Sequence, residues 1–260
     1  MEYIYPTFER GRILKKESLW ALRDYSYTAL ELQYQEYTDG VIFGCMFSVE
    51  GNELCISAGM IKCHGFIYLI AQQKLPYRAT NEMQYLKFVA MERQEQPDCI
   101  KYPAQIRLEE KPVQNDQEIE LCRFKLRDGS VLRTEYKDFY DIQTEFDTVN
   151  LADAMWSSRG GVTLSREITD DYARRILACE AAEPVDIQFA YLALQGREAV
   201  SREILADYLI RKGSGNAGGD EWSNAEMFVE LERVLRETRG GKKSREKQKT
   251  GRADRMIILD

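Results

Sequence analysis

The stretch that decides the fold runs over residues 39–71. It reads Asp39-Gly40-Val41-Ile42-Phe43-Gly44, then Glu50-Gly51-Asn52, Ile56-Ser57-Ala58-Gly59-Met60-Ile61 and His64-Gly65-Phe66-Ile67-Tyr68. Short apolar and aromatic runs alternate with glycines, the pattern of a β meander with a glycine at each reversal. Val41 to Val49 is the first strand, Glu50-Gly51-Asn52 a turn, and Glu53 to Ser57 the second strand, with Leu54 and Ile56 on one face and Cys55 on the other. Gly59 punctuates, Met60 to Cys63 is a third short strand, and Gly65 turns the chain into Phe66 to Ala71.

Before the meander, Leu19, Leu22, Ala29, Leu30, Tyr34 and Tyr37 recur at spacings near three and four. No Gly or Pro interrupts them, which predicts a helix over about 16–37. Lys15 and Lys16 make a poor N-cap, and Thr38-Asp39-Gly40 reads as the stop. After the meander, residues 84–94, 104–110 and 118–127 read as strands. In the last, Ile119, Leu121, Arg123 and Lys125 oppose Glu120, Cys122, Phe124 and Leu126. Asp128-Gly129 then signals a hairpin with Val131 to Thr134 returning. No helical pattern separates these strands, so the sheet is antiparallel.

The character changes near residue 147. Helices are predicted over about 169–182, 184–195 (Pro184 first, Gly196 after), 201–211 (from Ser201) and 223–238, the last opened by the capping box Ser223-Asn224-Ala225-Glu226. The expected fold class is therefore α+β: an N-terminal helix plus an antiparallel β meander or sandwich-like domain, then a small C-terminal helical bundle and a flexible basic tail. The expected divisions are 1–146, 147–240 and 241–260.

A chain of 260 residues with 44% hydrophobic and 30% charged side chains can build a full core. No run approaches the length needed to cross a bilayer, and the start lacks a signal-peptide pattern, so no membrane association and a cytoplasmic location are expected. Net charge is −7, yet residues 241–260 carry seven basic side chains against three acidic ones, leaving −11 for the remainder. An acidic body does not favour nucleic acid. Gly240 to Arg255 is polar and basic and is expected to be disordered alone. It is followed by the apolar run Met256-Ile257-Ile258-Leu259, which reads as a tether able to add as a strand or fill a partner's pocket, or else as a frayed end.

Catalytic motifs are sparse. The six cysteines, Cys45, Cys55, Cys63, Cys99, Cys122 and Cys179, show no two-residue spacing and read as reduced core thiols. His64 is the only histidine, and no Gly-x-Ser-x-Gly elbow accompanies it. Its place between strands suggests a structural imidazole. Gly213 to Gly219 is glycine-rich but follows a helix and lacks the Gly-Lys-Ser/Thr ending of a phosphate loop. No cofactor and no metal are expected. Two alternatives stand beside that reading: a small-molecule or metal-binding enzyme centred on Cys63 and His64, and a nucleic-acid-associated accessory protein acting through the basic tail.

Gly11-Arg12-Ile13-Leu14, the helix to Tyr37, Asp39-Gly40-Val41-Ile42-x-Gly44, Gly51-Asn52, Ile56-x-x-Gly59 and Gly65-x-Ile67 together resemble a known pattern. It is similar to the shoulder-type N-terminal domain of phage-tail proteins and of baseplate proteins of contractile injection systems. The resemblance covers roughly residues 8–72. It implies a non-enzymatic structural or adaptor subunit that assembles with other baseplate or tail subunits as a homo- or hetero-oligomer, inside a phage-tail-like particle. The helical second half, without fibre-like glycine repeats, favours a baseplate adaptor over host recognition. Leu19, Leu22 and Tyr34 are the expected assembly residues, and Ile257, Ile258 and Leu259 the expected tether.

Overall fold

A computed structural model describes residues 4–8, 10, 11, 13, 15–214 and 222–250, the last ten as helix backbone only. The α+β class holds: among the described residues there is one N-terminal helix, then antiparallel sheets, then four α-helices preceded by a short 3-10 helix (Phe139–Gln143). Helix α1 spans Lys16–Gln33 and has no side-chain cap at Lys15. It stops at Gln33, short of the expected Thr38-Asp39-Gly40, because Gly40 is needed elsewhere. At φ +142 its Cα lies so close to the 155–157 backbone that an added Cβ would sit 2.7 Å from Ser157 N.

The first predicted strand is two strands in two sheets. β1 (Gly40–Gly44) and β2 (Phe47–Glu50) are separated by a break at Cys45-Met46, where Gly44 and Cys45 take φ 70 and 53. β1 pairs with β4 (Gly59–Cys63), which pairs in turn with β5 (Phe66–Ile70), giving the order β1-β4-β5. β2 forms a hairpin with β3 (Glu53–Ile56) across Gly51-Asn52, and β6 (Gln73–Pro76), which the sequence pattern did not reveal, completes the order β2-β3-β6. Leu54, Cys55 and Ile56 are all buried, so β3 is covered on both faces rather than alternating. Gly59 is the first residue of β4, not a turn. A Cβ on it would stand 2.6 Å from Cys45 N and Phe43 O, so it is small because β1 crosses it.

The third sheet has the order β10-β7-β11, from β7 (Met83–Ala90), β10 (Ala104–Glu109) and β11 (Glu118–Lys125). A two-stranded ribbon, β8 (Gln94–Glu95) with β9 (Ile100–Lys101), fills the β7–β10 connection. The alternation expected along β11 is reset by a bulge. Glu120 pairs with Lys87 and Cys122 with Leu86, so Leu121 is the extra residue. Ile119, opposite Phe88, thereby joins Cys122 and Phe124 in the core. The Asp128-Gly129 turn exists, with Ser130 N donating to Arg127 O at 3.0 Å. The return of Val131 to Thr134 along β11 does not. Residues 147–150 take that place, with Asn150 N donating to Arg123 O at 2.8 Å and Arg133 bridging to Thr148.

The helices are α2 (Arg166–Leu177), α3 (Pro184–Gln195), α4 (Arg202–Arg211) and α5 (Asn224–Thr250). Three of the expected starts hold: Pro184 opens α3, Ser201 caps α4, and Ser223 and Glu226 exchange hydrogen bonds at α5. α2 starts earlier than Thr169, capped by Ser165, whose oxygen accepts from Ile168 N at 3.3 Å. α5 runs on through Gly240-Gly241 to Thr250, since the lysines, arginine and glutamine that follow favour helix enough to carry two glycines. A buried polar chain fastens the bundle. The Tyr172 and Tyr208 hydroxyls lie 2.6 Å apart, Tyr208 donates to Asp186 at 2.8 Å, and Lys212 reaches the same carboxylate at 3.1 Å. One contiguous apolar core runs from Val41 through Leu86, Phe88 and Phe124 to Phe228 and Leu235, joining sheets and helices. Among the described residues no helix is long and apolar enough to cross a membrane.

Two outcomes follow. Gly44→Ala puts a Cβ 2.2 Å from Ala58 O at a positive φ and is expected to cost more than about 2 kcal/mol in denaturant unfolding. Glu167, in the first turn of α2, is held up at about 7 by burial and then by Asp170, against an ordinary 4.5. Its folded state prefers the neutral acid, so this contribution is full below pH 4.5 and is lost as pH rises through 7. Glu167→Gln is therefore expected to gain on the order of 3 kcal/mol over the parent at pH 8 and nothing at pH 4, measured by unfolding at both values.

Candidate assembly surface

α1 lies over the outer face of the β1-β4-β5 sheet. Ile42 and Met60 from that face are buried with Tyr34, and Leu30, Tyr37 and Ile67 pack around them. This small cluster fixes only the last turn of the helix. A helix end leaves backbone carbonyls short of intrahelical donors, and here one side chain reaches three carbonyls at and just beyond that end. Lys62, in β4 and 8% exposed, donates from Nζ to the carbonyls of Tyr34 at 2.7 Å, Gln35 at 3.3 Å and Tyr37 at 2.6 Å. An ammonium has three donors and a positive charge, which suits the negative end of a helix.

The same end is tied to the helical half. The Tyr34 and Tyr37 hydroxyls both donate to the Glu198 carboxylate, Tyr34 at 3.2 Å, and the two rings meet edge to face at 5.2 Å. Burial, and then the bond to Glu198, pushes the Tyr37 phenol up to about 12. Thr38 N donates to Ser158 O at 3.1 Å, adding a second strap.

Beyond that anchor the helix carries much exposed apolar surface. None of the 18 residues of α1 is buried. Leu19, Trp20, Leu22, Tyr25, Tyr27 and Leu32 are 46–61% exposed. Single exposed apolar residues are ordinary, but here they recur on two sides of one helix, Trp20 with Tyr27 and Leu22 with Leu32, which makes α1 a candidate interaction surface. Leu22, Tyr25, Ala29 and Leu32 follow at spacings of three, four and three, the stripe a partner helix packs against. Ile4 lies along this side and, with Ala21, Tyr25, Ala29 and Leu32, lines a groove of 470 Å³.

Leu19 and Leu22 thus lie on the exposed helix, while Tyr34 sits buried at its anchored end. Ile257, Ile258 and Leu259 lie outside the described residues, as does most of the Gly213 to Gly219 loop. Lys62 and Glu198 carried no sequence signal, because their partners stand 25 to 28 and 161 to 164 residues away.

The Cys63-His64 pair does not come together. Cys63 is fully buried, with its thiol pushed up to about 12 by burial and by Asp39 and Asp116. His64 is not a structural imidazole within the sheet. It occupies the β4–β5 turn at φ 50, with about half of its ring exposed and Nε2 3.9 Å from Asp116. Hairpin turns of two residues favour positive φ at both, and Gly65 follows at φ 75. Among the described residues no three His, Cys, Asp or Glu side chains are grouped to hold a metal ion.

No protein-family model matches the chain, and no curated protein matches it in sequence. Three solved structures are similar to it at 9% identity. A crystal structure of TssK has a TM-score of 0.37 over 92% of this chain and 69% of that one. A chain of the type VI secretion system TssK-TssF-TssG baseplate subcomplex has a TM-score of 0.42 over 90% and 100%. A chain of the baseplate complex from the type VI secretion system has 0.38 over 90% and 70%.

Lys62→Met removes the ammonium from the Tyr34, Gln35 and Tyr37 carbonyls, of which Tyr34 keeps only the bond from Tyr37 N at 3.1 Å. It is expected to cost about 2–4 kcal/mol, read as faster amide exchange across α1 with little change in β7 and β11.

Proposed function

We propose that the chain is a non-enzymatic structural adaptor subunit of a phage-tail-like or contractile-injection baseplate, and that α1 is the element by which it is built in. The observation that carries this reading is α1 itself: 18 residues with none buried, six large apolar side chains exposed, and one end clamped by Lys62 and Glu198. A helix whose apolar stripe meets water gains little from folding alone. Covering Leu22 and Leu32 with a partner returns about 1.5–3 kcal/mol for each fully buried side chain. The class of assembly comes from the resemblance over residues 8–72, and the solved neighbours described above are named for assemblies of that class. The partners in this reading are further copies of the chain and other baseplate subunits, the particle assembles in the cytoplasm, and residues 241–260 are the tether.

The test is native mass by light scattering, for the parent and for Leu22→Asp combined with Leu32→Asp. Both positions are exposed, so the monomer fold should survive. The parent is expected to run as a defined oligomer, or to form one with subunits encoded beside it, and the double variant at the mass of a single chain. A parent that stays monomeric and ignores its neighbours would refute the proposal.

A further inference from the structure

β5 is the edge of its sheet. β4 pairs along one side, and among the described residues no strand pairs along the other. An unpaired edge offers a row of backbone donors and acceptors to any extended chain. Between this edge and α1 lies a groove of 420 Å³, lined by Tyr27, Leu30, Glu31, Phe66, Ile67 and Leu69 among others. Leu69 is 73% exposed, the most open large apolar side chain on the sheet side of that groove. It lies on the flank of α1 away from Ala21, Ala29 and Leu32, so it is distinct from the stripe assigned above to assembly.

We propose that this groove receives the segment Met256–Leu259 of a second copy, added along β5 as an edge strand. Three observations favour this occupant. The segment is a run of four apolar residues with two β-branched isoleucines, following fifteen residues from 241 to 255 that include only one hydrophobic side chain, Ala253. It suits a strand, and its four residues fit within the five of β5. α5 continues for twelve residues past Thr238, its last described buried residue, which carries the chain about 18 Å onward from the bundle and favours delivery to a neighbour. Arg255 stands directly before the apolar run, with Asp254 and Asp260 also flanking it, and gives the segment a partner for Glu31 at the groove. Strand addition gives affinity through the backbone, and the groove selects the alternate side chains. This deepens the assembly reading by naming what binds a second face of the same helix.

The experiment is amide hydrogen exchange at Phe66 to Ile70 in the full chain. The parent is compared with Ile257→Asp combined with Ile258→Asp, over a range of protein concentrations. Alternate β5 amides are expected to exchange at least tenfold faster in the variant. A peptide of residues 251–260 added to that variant should restore protection, and should fail to do so when Leu69→Asp is also present. Equal exchange in parent and variant would overturn the proposal, as would peptide protection indifferent to Leu69→Asp. Parent protection that persists unchanged where light scattering shows single chains would assign the groove to the segment of its own copy and overturn the second-copy claim. The Leu22→Asp, Leu32→Asp variant separates the two readings. Peptide protection retained there, whatever its native mass, supports the groove independently of the α1 stripe, and protection abolished there would mean that the groove has no occupant of its own.

Discussion

Lys62 brings a charge to a place where backbone carbonyls receive it. Burying an ammonium is costly unless hydrogen bonds replace the lost water, and the replacement comes from Tyr34, Gln35 and Tyr37, the residues that end α1. Each side depends on the other: the three carbonyls lose their cationic donor if β4 is absent, and the ammonium lacks acceptors if the helix ends elsewhere. The helix therefore cannot slide along the sheet without breaking a bonded charge. Everything that α1 presents outward, from Leu19 to Leu32, takes its position from this one contact and from the Glu198 clasp beside it.

The parts of the fold legible in the sequence are those governed by neighbours in the chain. Pro184, Ser201 and the Ser223–Glu226 pair marked helix starts because capping acts over three residues. Gly51 marked its hairpin because a two-residue loop needs positive φ. What was not legible depends on partners far away in sequence. The Leu121 bulge exists to bring Ile119 opposite Phe88. The helix stop expected at Gly40 was misplaced because that glycine answers to residues 155–157. The strand expected at 131–134 lost its place to residues 147–150, which nothing in their own composition announces. The candidate surface on α1 divides in the same way: the spacing of Leu19 and Leu22 revealed a helix, but not which residues hold its end.

The segment 151–165 is the seam between sheets and helices. Met155 O accepts from Val41 N at 2.9 Å, and Ser157 N donates to Val41 O at 2.8 Å, extending the β1 edge. From the other side, the Asn224 amide at the start of α5 donates to the carbonyls of Ala154 and Thr163 at 2.7 and 2.8 Å. One irregular stretch thus satisfies a strand edge and a helix start together, which is how a meander and a bundle come to share one core.

That seam also sets an order of events. β1 has its second edge covered only by residues more than a hundred positions later, and the Tyr34–Tyr37 end meets Glu198 later still. Contacts so distant in sequence form late, after local hairpins such as β2–β3. A chain emerging from the ribosome therefore completes the mounting of α1 in two stages: Lys62 follows its partners by 25 to 28 residues, Glu198 by 161 to 164. Until residue 198 has been made and docked, α1 is held from the sheet side alone. The clasp is the part of the mounting that only a chain synthesised well past its midpoint can close.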